Sequence, residues 1–139
     1  MSKIAKESGL GWTTFSLDDS GGTLRAIVND VVSCEFDTPV ELQETTGLDK
    51  SAYERLQLLR DFTISFEGIF NDAASTGLHT VVRTVGAAIT SRTLTMVVSG
   101  QTLTNEILLS SVSHSRSDSG EFTISAEGSL ADGTVPTWS

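Results

Sequence analysis

Cysteine is nearly absent from this sequence, since Cys34 is the only one. A disulfide needs two cysteines, so the chain cannot form one internally, and nothing in it indicates an oxidising compartment. Cys34 alternates with Val32 and Phe36 in an apolar register. That register favours a buried thiol over a reactive one.

Long apolar runs are also lacking. No stretch approaches the ~18 residues of a membrane-spanning helix. Residues 1–11 contain no apolar block of the roughly 7–15 residues that a secretory signal requires. We therefore expect a chain with no membrane association, which stays in the cytoplasm of the cell that makes it.

Histidine and basic residues are scarce as well. His79 and His114 are the only histidines, and neither has a nucleophile or a third metal ligand at a plausible spacing. No glycine-rich phosphate loop is present, so we expect no catalytic residue, no metal and no cofactor. Nine Lys and Arg oppose 18 Asp and Glu, for a net charge of −9. An acidic chain gains nothing from the counterion release that drives nucleic-acid binding.

Proline is limited to Pro39 and Pro136, whereas serine, threonine and valine are abundant. Threonine and valine favour pleated, half-buried strands, so we expect a mainly β fold of antiparallel strands. Alternating polarity and turn residues place the strands. The predicted strands are 12–17, 31–40, 61–70, 92–98, 104–115 and 121–130.

Three of these strands have one polar face. In 61–70, for example, Phe62, Ile64 and Phe66 alternate with polar residues, which predicts a buried face and a wet one. The polar-face residues on the three strands are Glu35, Asp37, Ser65, Glu67, Ser125 and Glu127. One interpretation is the solvent side of a monomeric sandwich.

Residues 41–60 form a long interstrand loop of mixed character. Compact domains rarely contain so long a connection unless it is functional, and its clustered leucines indicate a contact surface. An alternative is a helix over 51–59, capped by Ser51 with Glu54 at its third position. The candidate contact residues are Thr45, Thr46, Leu48, Tyr53, Arg55, Leu56, Leu58 and Leu59.

One flanking helix is predicted over 71–85. Asn71 or Asp72 can cap it, apolar residues recur at helical spacing, and Gly86 ends it. The whole chain, 1–139, is predicted to be a single domain, with an N-terminal arm at 1–10 and a C-terminal tail at 131–139.

Several phrases along the chain match a known pattern in order. They are DDSGGT at 18–23, NDV at 29–31, TTGLDKSAYERL at 45–56, DFTISFEGIFN at 61–71 and GSLADGTVPTW at 128–138. Together they resemble the tail tube (major tail) proteins of long-tailed bacteriophages that infect high-GC Gram-positive bacteria. The resemblance covers nearly the whole chain. Gene transfer agents and contractile secretion tubes share the fold of that family.

The resemblance implies a tail-tube β-sandwich that forms hexameric rings, which stack into a tube around a tape measure protein and later conduct DNA without binding it specifically. Further implied partners are tail terminator and baseplate or tail-tip proteins. The implied location is the virion tail, assembled in the host cytoplasm. The six polar-face residues would line the lumen. The 41–60 loop would bridge subunits and stacked rings, and Trp12 and Trp138 would make terminal-arm contacts.

Two alternatives remain open. One is another virion tail component of similar fold, such as a tail terminator or minor tail protein. The other is a monomeric β-sandwich that binds glycans. Glycan-binding modules usually present an aromatic platform, and this chain has only Trp12, Tyr53 and Trp138 to supply one.

Overall fold

The computed structural model describes residues 9–85 and 90–139. Within these ranges the chain is mainly β, with antiparallel pairing throughout, which confirms the predicted fold class. A 3-10 turn, Gly9–Gly11, precedes the first strand. The strands are β1 Trp12–Asp18, β2 Leu24–Ala26, β3 Val31–Asp37, β4 Val40–Glu44, β5 Arg55–Arg60, β6 Thr63–Ile69, β7 Arg92–Val98, β8 Gln101–Arg116 and β9 Phe122–Leu130, and the helix is α1 Leu78–Val82.

The main sheet has the strand order β2-β1-β7-β8-β9-β6-β3. Strand β8 organises it, because its first part, up to Ile107, pairs with β7 and its second part, from Ile107 onward, pairs with β9. The sheet thus consists of two halves joined through one long strand. Phe15 of β1 and Phe66 of β6 meet with ring centroids 5.2 Å apart, so the halves face each other as a sandwich.

The core lies between these halves and under α1. Phe62, Ile64 and Phe66, predicted to form a buried face of 61–70, are buried, and so are Phe15 and Leu17 of β1. Helix α1 closes the core with three buried side chains. The complete buried apolar set is Phe15, Leu17, Ile27, Phe62, Ile64, Phe66, Leu78, Val81, Val82, Leu94, Met96, Leu103, Ile107, Ile124 and Ala126.

The flanking helix is much shorter than the predicted 71–85. The Asn71 side-chain oxygen accepts a hydrogen bond from the Ala73 amide at 3.0 Å, a local turn that competes with helix formation. The first-turn amide of Leu78 instead donates to Asp30, a buried carboxylate from a distant segment, at 3.1 Å. Gly86, the predicted helix end, lies outside the described residues.

Arg92 fastens α1 to the sheet. Its guanidinium is buried and donates to the Val81 carbonyl at 2.7 Å and the Asp18 carbonyl at 3.2 Å. Burial lowers the pKa of Arg92, while the carboxylates of Asp18 and Asp19 oppose that change. The sequence reading missed this residue because an arginine at a strand start normally indicates solvent.

The C-terminal tail packs on its own domain. Trp138 forms a β-bridge with Leu103, and Ser139 and Thr102 exchange two backbone hydrogen bonds at 2.9 Å. The tail therefore covers the edge of β8 that β9 leaves unpaired. Of the predicted N-terminal arm, residues 1–8 lie outside the described part of the chain.

Candidate functional site

The six polar residues predicted to share a face do share one, and all six are exposed. They lie on the outer side of the half-sheet β3-β6-β9-β8, opposite the core. Strand register joins them into cross-strand neighbours. The rows are Glu35–Ser65–Glu127 and Ser33–Glu67–Ser125, with Asp37 at the end of β3.

This polar face has four carboxylates and, in the described strands, no Lys or Arg. The remaining positions are mostly serine and threonine, continued on β8 by Ser111, Ser113 and Ser115. Apolar side chains occur only at its two ends, where Ile69 and Leu108 are partly exposed. A face of this kind is well hydrated and carries only negative charge.

The same half-sheet has a free edge on each side. Among the described residues, β3 pairs only with β6, and the part of β8 beyond Ile107 pairs only with β9. Free edges expose unpaired N–H and C=O groups, which are templates for pairing with another chain. Because the four strands alternate in direction, the two free edges run antiparallel to each other.

Residues 41–60 are not a structureless loop, and the alternative helix over 51–59 is wrong. They form a two-stranded ribbon in which β4 and β5 pair antiparallel, separate from the main sheet. A hydrogen bond from the Asp61 amide to the Pro39 carbonyl, 3.0 Å, closes its base. The sequence pattern hid the ribbon because apolar residues occur on both of its faces, so neither strand alternates cleanly.

Every residue of β4 and β5 is exposed, including the leucines. Register places Leu42 with Gln57 on one face and Leu56 with Gln43 on the other. Leu58 and Leu59 follow at the shift in register before Arg60, and Leu42 and Leu59 are 55% and 81% exposed. An isolated ribbon with apolar groups on both faces is unusual for a monomer, because a two-stranded hairpin is only marginally stable alone.

The ribbon tip is ordered by polar contacts. Thr46 Oγ1 accepts a hydrogen bond from the Glu54 amide at 2.9 Å, and the Thr45 amide donates to the Glu54 carbonyl at 2.8 Å. Arg55 lies over the Tyr53 ring, 5.0 Å from its centroid. Leu48 is fully exposed at the tip. All eight predicted contact residues therefore lie on one protruding element.

An aromatic cluster lies at the opposite end of the half-sheet. Phe70 stacks on Phe122 with ring centroids 4.8 Å apart and on His79 at 4.5 Å. The rings of His79 and His114 are hydrogen bonded at 3.4 Å. Phe122 remains 42% exposed, and Ile69, at the same end but on the polar face, is 48% exposed. The sequence reading missed this cluster because its members come from four separate segments.

Trp12 and Trp138 do not extend away from the domain as arms. Each approaches Phe36, with ring centroids 6.3 Å and 5.9 Å away, and Trp12 also stacks on Phe15. Their role in contacts between subunits stays a prediction. Val32, predicted to face the core, is 62% exposed, because the register of β3 shifts between Val31 and Ser33.

Chemical groups suited to catalysis do not converge in the described part of the chain. No group of three or more His, Cys, Asp or Glu residues there is arranged to hold a metal ion. Cys34 is half-buried, and this burial raises the pKa of its thiol to about 12. In the same ranges, no helix has the length and apolarity needed to cross a membrane.

Comparison with known proteins rests on structure alone. No family model and no curated protein matches the sequence. Many solved chains share the fold, and three of them serve as examples. A chain in the virion of a native gene transfer agent particle has a TM-score of 0.72 and 16% identity, over 95% of this chain and 99% of that one.

The second is a chain in the tail of an empty gene transfer agent particle with C6 symmetry, which has a TM-score of 0.70 and 16% identity over 96% and 98% of the two chains. The third, from the anti-feeding prophage baseplate, 6-fold symmetrised, has a TM-score of 0.67 and 12% identity over 100% and 97%. The chain has the fold of these tail-particle proteins. The match covers almost the full length on both sides.

Proposed function

We propose that this chain is a non-enzymatic tail tube subunit, of the major tail protein type, that assembles into hexameric rings. The observation that carries the proposal is the half-sheet β3-β6-β9-β8, with its polar, cation-free outer face and two free antiparallel edges. Full-length similarity to a tail with C6 symmetry supports it.

The two edges can close a ring of identical subunits. The β3 edge of one copy meets the β8 edge of the next in the antiparallel orientation, and repetition of that contact leaves no edge unpaired. The contact is heterologous, since two different surfaces meet, and rotation closes it into a cycle. Each copy contributes four strands to one continuous barrel.

The barrel dimensions suit a conduit. Six copies give about 24 strands, which at ~4.8 Å spacing and ~40° tilt form a barrel about 50 Å across between backbones. Inward side chains leave a lumen of roughly 40 Å. That width admits a helical tape measure protein of about 10–12 Å per helix, and later a nucleic-acid duplex.

The chemistry of the polar face suits passage of DNA. With Glu35, Asp37, Glu67 and Glu127 facing the lumen and no Lys or Arg among the described residues of that face, the wall offers no cation to hold the phosphates. A wall of carboxylates and hydroxyls holds water and repels a polyanion, so DNA slides without specific binding.

The remaining proposed partners are the tail terminator and baseplate or tail-tip proteins, in a virion tail assembled in the host cytoplasm.

The proposed ring contact, between β3 of one copy and β8 of the next, is tested by cross-linking. In a Cys34→Ser background, Glu35→Cys on β3 is combined in turn with Ser111→Cys, Ser113→Cys or Ser115→Cys on β8. A short bismaleimide should give, for one of these pairs, a ladder of products ending at six copies. Glu35→Cys with Ser125→Cys is the control, because β9 is interior to the half-sheet. If electron microscopy shows rings but no ladder of cross-linked products forms, the β3–β8 contact between copies is disproved.

The lumen assignment is tested by charge reversal. Glu35→Lys, Glu67→Lys and Glu127→Lys together should still permit tubes but slow DNA ejection, because each ring then presents cations to the phosphates. The slowing should diminish as salt is raised. Matched reversals at Asp72 and Asp132, which are exposed outside both this face and the ribbon, serve as the control for added charge. If particles with these charge reversals eject DNA at the unaltered rate, this face does not line the lumen.

The glycan-binding alternative makes a different prediction. The half-exposed row Trp12, Phe36 and Trp138 is the nearest feature to an aromatic platform. Negative-stain microscopy at high protein concentration distinguishes the two functions, because rings or tubes favour the tail tube subunit. Monomers that bind immobilised glycans, and that lose this binding in Trp138→Ala, favour the glycan-binding module.

A further inference from the structure

We propose that the β4–β5 ribbon of one ring docks on the aromatic end of a subunit in the adjacent ring. The aromatic end is the end of the half-sheet that carries Phe70 and Phe122, with His79 and His114 behind them, and that also carries Ile69 on its polar face. This inference rests on the proposed function and names the surface that receives the stacking element.

The two surfaces lie at opposite ends of the same strands. Register places Asp37 opposite Thr63, the end from which the ribbon leaves. At the other end of β6, Ile69 pairs with Thr123, next to the start of β9 at Phe122. Seven residues of strand separate the two ends by about 20 Å. A contact within one copy is therefore excluded for side chains at the two ends.

Head-to-tail stacking requires two different, complementary surfaces, one at each end of the subunit. The ribbon supplies exposed leucines at one end. The aromatic end supplies the complement, with Ile69 on the polar face and Phe122 on the opposite face each about half exposed. Burying both sets removes the largest unexplained apolar areas at the two ends from water at once.

Charge around the two surfaces also fits. Arg116 lies directly opposite Phe122 across the β8–β9 ladder and, among the described residues, has no ion-pair partner. Glu41, Glu44 and Glu54 of the ribbon are likewise unpaired with any cation in the described chain. A contact between rings places carboxylates of one copy within reach of a guanidinium of the other, which steers the register.

Two single-cysteine chains test the docking, each in a Cys34→Ser background. One carries Leu59→Cys on the ribbon, and the other carries Ile69→Cys at the aromatic end. They are mixed, assembled into tubes and treated with a short bismaleimide, so only intermolecular products can form. The control partner is Leu108→Cys, which is exposed on the polar face at the ribbon end of the half-sheet.

We expect cross-links between Leu59→Cys and Ile69→Cys in tubes, and none in isolated rings. We also expect Ile69→Asp to leave ring closure intact and raise the concentration needed for tube growth at least about tenfold. Tubes that cross-link Leu59→Cys to Leu108→Cys instead, or that grow normally with Ile69→Asp, would overturn the docking while leaving the tail tube proposal standing. If the protein forms no rings under any condition, both the docking proposal and the tail tube proposal fail.

Discussion

Replacing Leu42 and Leu59 with threonine should separate folding from assembly. Both side chains lie on the β4–β5 ribbon, where they are 55% and 81% exposed. Threonine is a strong strand former, so Leu42→Thr/Leu59→Thr keeps the ribbon while removing most of its apolar area. Because the leucines contact little of their own domain, we expect the free energy of unfolding to change by less than about 0.5 kcal/mol.

The effect on assembly follows from the exposed fractions. Full burial of a leucine side chain is worth about 1.5–3 kcal/mol. Since 55% and 81% of the two side chains are still exposed in the monomer, ring contact can bury enough to stabilise each ribbon contact by roughly 2–4 kcal/mol. Losing most of this lowers the association constant of each contact by about 10- to 300-fold. Six such contacts act together in each proposed ring junction, so tube growth should stop at ordinary concentrations.

Light scattering and negative-stain microscopy measure tube growth, analytical ultracentrifugation measures ring content, and thermal unfolding measures the fold. Gln57→Thr is the matched control, because Gln57 lies directly opposite Leu42 on the ribbon but is polar. The double variant should keep its Tm within about 3 °C and form rings without tubes. A large fall in Tm would mean that the two leucines pack on their own domain. Normal tube growth would mean that they make no contact between rings.

Two further predictions concern the fold. Gly68→Ala should cost about 1–3 kcal/mol and lower the Tm by roughly 3–12 °C, because a Cβ there would press on the Leu78 side chain and lie 2.7 Å from the Asp30 carbonyl; Ser65→Ala on the exposed side of β6 is the control. Burial raises the pKa of Cys34 from 9.0 to about 12, so native protein should alkylate slowly at pH 8 and unfolded protein quickly. Between pH 9.0 and about 12 the unfolded chain loses this proton and the folded chain keeps it, so stability measured in urea should fall as pH rises through that window; fast native alkylation at pH 8 would contradict the burial.

The sequence was informative wherever alternation was clean. Strand 92–98 was predicted to the residue, and the six predicted polar residues do share one face, because one side of each strand must be buried and period-2 patterning reports which side that is.

The errors have identifiable physical causes. Residues 71–77 read as helix, but the Asn71 side chain and the buried Asp30 carboxylate give that backbone other hydrogen-bond partners. The ribbon was hidden because neither of its faces is buried within the chain, so no alternation exists to detect. The aromatic end depends on contacts between Phe70 and Phe122, 52 positions apart, and no local pattern predicts such a contact.

In the single chain, the free edges, the apolar ends and the polar face of the half-sheet point in different directions. This arrangement is the strongest argument that they all serve one assembly. Two free edges flank the half-sheet on its sides, where pairing would close a ring. Apolar groups mark its two ends, where contact would stack one ring on the next. One face is buried against the core, and in the proposed ring the hydrated carboxylate face turns toward the axis. A monomeric sandwich could account for any one of these features as solvent exposure, but their mutual placement on four strands is what a tube requires, because closure, stacking and an open channel each use a separate side of the same sheet.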